Sequence, residues 1–122
     1  GVPDMKVPIQ YALTYPSHVS SNWDTLDLAK IGTLTFEQPN LEKFKCIQLA
    51  YDAINSKNSF PVVLNVANDC TVQAFLDEKI KFTDIPKLNE LAMEKHPETN
   101  SNDLETIIEL THWTENFIKD KL

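Results

Sequence analysis

The side chains best placed to do specific chemistry are two carboxamides, Asn65 and Asn68, inside the apolar run Phe60 to Leu76. They stand three residues apart and so share one face of a helix. A carboxamide both donates and accepts, and burying one without partners costs about 1–3 kcal/mol. Two of them on an apolar helix predict that something specific sits against that face, in a structural or docking role. The second constellation is Pro3-Asp4-Met5, where a carboxylate and a flexible thioether lie between Pro3 and Pro8. The fixed φ of the prolines restricts the backbone, so Met5 is presented in one place. Such a thioether is either tucked into a core or forms one wall facing a ligand.

The remaining candidates read as ordinary surface and core chemistry. His18, His96 and His112 are far apart in sequence and read as solvated or helix-end histidines. No serine lies between the glycines of a nucleophile elbow, so no residue here is assigned as catalytic. Glu90, Glu94, Asp103, Glu105 and Glu109 read as a solvated helical face, and no metal ligand is assigned. Cys46 and Cys70 fall inside apolar helical patterns and read as reduced core thiols. The only glycines are Gly1 and Gly32, and all 11 basic residues are lysine. There is thus no glycine-rich phosphate loop and no bidentate clamp for an anion. A net charge of -7 argues against nucleic acid and anionic membranes as partners. No apolar run approaches the roughly 20 residues that span a bilayer.

These side chains need elements to hold them. The 122 residues suffice for one domain with a core. The chain opens Gly-Val-Pro-Asp with neither an initiator Met nor a signal peptide, and so reads as a piece of something longer. Pro8 opens a short helix over 8–15, which Pro16 stops. Trp23 anchors an irregular stretch. Thr25 caps a single turn over Leu26–Lys30, closed by Gly32 in a left-handed conformation. Thr33–Phe36 alternates like a short strand. Residues 17–40 read as an arm lying on another surface.

From Leu41 onward the pattern is helical. Ile47, Ala50, Tyr51 and Ile54 form an i, i+3, i+4, i+7 stripe. Residues 60–78 form a central helix, apolar almost all round, marked by Phe60, Val63, Leu64, Ala67, Cys70 and Ala74. Thr83 caps the next helix, with Pro86 in its first turn and Ile85, Leu88, Leu91 and Ala92 on its buried side. His96-Pro97 ends it. The last segment has two apolar stripes in conflicting phase, Leu104, Ile107 and Ile108 against Leu110, Trp113 and Phe117. Two helices are therefore expected, 103–110 and 112–121, broken near Thr111. Asn102 and Glu105 match a capping box, and Glu115 and Lys119 an i, i+4 pair. The fold class expected is mainly α, a four-helix-bundle-like C-terminal domain preceded by a short helix and an extended arm.

Several segments occur in a telling order over residues 1–86. They are Gly1 to Ile9, Tyr15-Pro16, Leu26-Asp27-Leu28, Leu34-Thr35-Phe36, Cys46 to Ala50, Leu64 to Asp69, Ala74-Phe75-Leu76 and Phe82 to Ile85. Together they resemble 1-deoxy-D-xylulose 5-phosphate reductoisomerase. Val66 replaces a usual alanine and Asp69 a usual glutamate, both mild departures. The resemblance implies the end of a central catalytic domain at 1–16, the connecting arm at 17–40 and the C-terminal helical bundle at 41–122. It implies that the whole enzyme uses NADPH and a divalent cation, Mg or Mn, to isomerise and reduce a sugar phosphate in non-mevalonate isoprenoid synthesis. The family's cofactor loop, metal ligands and phosphate-binding residues would lie upstream, so this portion is inactive alone and supports the site. Pro3, Asp4 and Met5 would line the nicotinamide side. The partners implied are the catalytic domain of the same chain and a second copy in a homodimer, in a plastid or a bacterial cytoplasm. The competing reading from the residues is a freestanding helical interaction module that binds through the Asn65/Asn68 face.

Overall fold

The computed structural model describes residues 4–100 and 103–122. Pro3 and Asn102, and with Asn102 the expected capping box, lie outside those residues. The chain divides into two units, Gly1–Gln38 and Pro39–Leu122. The described residues are mainly helical, and no strand occurs among them.

In the first unit, α1 spans Lys6–Thr14 and α2 spans Leu28–Ile31. Helix α1 begins two residues before Pro8. The proline still falls in the first turn, where its missing N–H has no intrahelical partner. The helix stops before Tyr15-Pro16, because the residue preceding a proline is driven out of helical geometry. The Tyr11 ring stacks on His18 at 4.9 Å, which folds the chain after Pro16 back toward α1. The cap of α2 is Asp27 rather than Thr25: its carboxylate accepts the N–H groups of Ala29 and Lys30 at 3.0 and 3.2 Å. Gly32 adopts φ 71° and ψ -56°, and Thr33 N–H reaches the Ile31 carbonyl at 2.8 Å. This is a tight three-residue γ-turn rather than the expected left-handed helical cap. Thr33–Phe36 forms no strand, for an extended segment becomes one only when a neighbour takes its backbone bonds.

Among the described residues the second unit holds four α-helices: α3 (Lys45–Ile54), α4 (Ser59–Leu76), α5 (Ile85–Lys95) and α6 (Leu104–Lys119). Helix α4 is the centre and packs on α3, α5 and α6. Ser59, Val63, Ala67, Thr71 and Ala74 form its buried stripe. Leu49 and Ala53 carry α3 onto it, and Leu110, Thr114 and Ile118 carry α6. Each fully buried Val or Ile contributes about 1.5–3 kcal/mol.

Three sequence expectations change here. The α3 stripe of Ile47, Ala50, Tyr51 and Ile54 is exposed, while Leu49 and Ala53 face the core. Helix α5 follows a single 3-10 turn at Phe82–Asp84 instead of a Thr83 cap. In that turn Asp84 accepts the Lys81 N–H at 3.2 Å. The last segment is one continuous helix without a break at Thr111, whose hydroxyl donates to the Ile107 carbonyl at 2.8 Å. Its phase conflict is met by burying the Leu110 set against α4 and leaving Leu104, Ile107 and Ile108 in solvent. The cap of α6 is Asp103, whose carboxylate accepts the Thr106 N–H at 2.8 Å and holds its own pKa below the usual range through that bond. No ion pair joins Glu115 to Lys119 among the described residues.

Candidate functional site

Between α3 and α4 runs an open groove of about 560 Å³. Ala50 and Ile54 form one wall, Leu64, Asn65 and Asn68 the other, with Asn89 at the base. The helix repeat explains the placement, since residues 65 and 68 lie nearly one turn apart on α4. Asn65 is exposed and Asn68 half-buried, so the face that carries them is more open than the apolar sequence suggests. Asn68 has its partner inside the bundle, where its Oδ1 accepts the Asn89 amide N–H at 3.1 Å. Asn89 is fully buried and in turn accepts the Thr71 hydroxyl at 2.9 Å. The carboxamide pair is legible in the sequence, whereas its anchor, Asn89, is missed there. The signal existed: Ile85, Asn89 and Ala92 share the i, i+4, i+7 face that buries α5.

Cys46 also lines the groove. Burial pushes its thiol above the ordinary value, partly offset by a hydrogen bond with Asn89. Cys70 packs against the core, and its thiol is raised by burial and by the nearby Glu115 and Asp69. Both cysteines are free. No lysine lines the groove and Asp69 does, so the lining does not suit a phosphate.

A second polar cluster closes the N-terminal end of α4. His96 ends α5 as expected of a helix-end histidine, but it is buried rather than solvated. Its Nδ1 lies 2.7 Å from the Met93 carbonyl and its Nε2 2.9 Å from Ser59 Oγ. A carbonyl only accepts, so in the neutral ring Nδ1 carries the proton and Nε2 accepts from Ser59. Ser59 Oγ accepts the Thr99 N–H at 3.1 Å, and Phe60 packs edge-on to the imidazole at 4.5 Å. The arrangement is a sealed latch. Ser59 is 1% exposed, too enclosed to meet a substrate.

Asp4 and Met5 stand just before α1. Asp4 accepts the Lys6 N–H at 2.9 Å, and the Met5 side chain is 71% exposed. Met5 is thus exposed among the described residues. Of the carboxylates expected to be solvated, Glu90 forms an ion pair with Lys45 at 2.6 Å; Glu98, outside that set, pairs with Lys57 at the same distance. Among the described residues, no group of three or more His, Cys, Asp or Glu side chains could hold a metal ion. No helix there is long and apolar enough to cross a membrane.

Comparison with known proteins gives consistent matches. The family model of the DXP reductoisomerase C-terminal domain matches residues 1–117. The 1-deoxy-D-xylulose 5-phosphate reductoisomerase of Acetivibrio thermocellus is 44% identical over 120 residues, covering 98% of this chain and 32% of that protein. That of Chlorobium phaeobacteroides is 44% identical over 119 residues, covering 98% and 31%. Among solved structures, the reductoisomerase from Zymomonas mobilis in complex with NADPH superposes with a TM-score of 0.86 at 32% identity, over 98% of this chain and 32% of that one. A DOX-P reductoisomerase in complex with NADPH, fosmidomycin and magnesium superposes with a TM-score of 0.88 at 34% identity, over 99% and 32%. The chain spans about a third of the length of the relatives it matches.

Proposed function

This chain belongs to the DXP reductoisomerase C-terminal domain family, and from that membership we propose that it is the C-terminal portion of a 1-deoxy-D-xylulose 5-phosphate reductoisomerase. The whole protein isomerises and reduces the sugar phosphate to 2-C-methyl-D-erythritol 4-phosphate for isoprenoid synthesis. NADPH supplies the hydride and a divalent cation the Lewis acid. Residues 1–16 end the catalytic domain, 17–40 form the arm and 41–122 the supporting bundle. The protein works as a homodimer in a bacterial cytoplasm or a plastid.

One observation carries the reading beyond the family match. None of the described residues of the first unit is buried, although it carries Met5, Leu13, Tyr15, Leu34 and Phe36. So much exposed apolar surface on a short segment calls for a cover, and a preceding catalytic domain provides one. In that setting Asp4 fixes the start of α1 through the Lys6 N–H, and Met5 offers an apolar, polarizable wall to the nicotinamide ring. Pro3 restrains the backbone before them. Asn65 and Asn68 belong to the docking side of the bundle. This portion contributes support and one wall, while the metal and the phosphates are held upstream.

The test is a chimera in which this chain replaces the C-terminal third of the Acetivibrio thermocellus enzyme. NADPH oxidation with 1-deoxy-D-xylulose 5-phosphate within about tenfold of the parent, or 1.4 kcal/mol of barrier, is expected. A folded chimera without turnover overturns the reading in favour of a separate interaction module.

A further inference from the structure

No further inference is drawn: the strongest candidate, the apolar groove of about 610 Å³ between the start of α3, α4 and the turn that opens α5, lined by Phe44, Ile47, Val72, Phe82 and Ile85, carries nothing, because its rim lysines Lys45 and Lys87 are already paired with Glu90 and Asp84, so that charge selects no ligand, and nothing in the structure shows what covers it.

Discussion

Ser59→Ala removes one oxygen and unlocks the end of α4. Ser59 Oγ donates to His96 Nε2 at 2.9 Å and accepts the Thr99 N–H at 3.1 Å. The substitution leaves the volume nearly unchanged, so the cost is almost wholly polar. His96 is buried, and its Nε2 loses the hydroxyl in a place water does not readily reach. An unsatisfied buried acceptor costs about 1–3 kcal/mol. The bond to the half-buried Thr99 adds about 0.5–1.5 kcal/mol. Together, about 1.5–4.5 kcal/mol is a large part of a domain's stability. The matched control is Ser56→Ala, which removes an exposed bond to the Asp52 carbonyl at 2.7 Å and should cost less than about 0.5 kcal/mol. Thermal melts rank the two variants, and amide hydrogen exchange at residues 93–99 localises the effect. If Ser59→Ala melts with Ser56→Ala and exchange there is unchanged, the latch carries no stability and the reasoning fails.

Two further outcomes are expected. Met5→Ala in the full-length protein weakens NADPH by about 5- to 30-fold, from lost apolar burial and a lost sulfur–aromatic contact, and leaves the divalent metal unmoved; separate titrations showing the reverse return Met5 to an ordinary structural role. Glu78→Gly stabilises the bundle by about 0.5–1 kcal/mol, because Glu78 follows α4 at φ 60° while Lys79 N–H bonds the Ala74 carbonyl at 2.9 Å; a lower midpoint in denaturant shows that Glu78 is held there by something stronger than its backbone cost.

The helices were legible because their causes are local. Pro16 and Pro97 stop α1 and α5, and the apolar run from Phe60 could only be the central helix of a bundle. The mainly α class and the family resemblance followed from residues close together in sequence. What the sequence left open was the choice among competing faces. Helix α3 has two apolar sides and α6 two apolar stripes. Nothing within either helix says which side meets α4, because burial is decided by the partner's shape. The same holds for polar groups. Ser59 and His96 are 37 residues apart, and Thr71 and Asn89 18. Their hydrogen bonds exist only once α4 and α5 lie side by side. Read alone, His96 before a proline belongs to a loop. In the fold it is sealed by Phe60, Ser59 and Trp113. Sequence sets which residues can be helical and which must avoid water, but only tertiary packing decides which of them succeed, since one helix cannot bury every side at once.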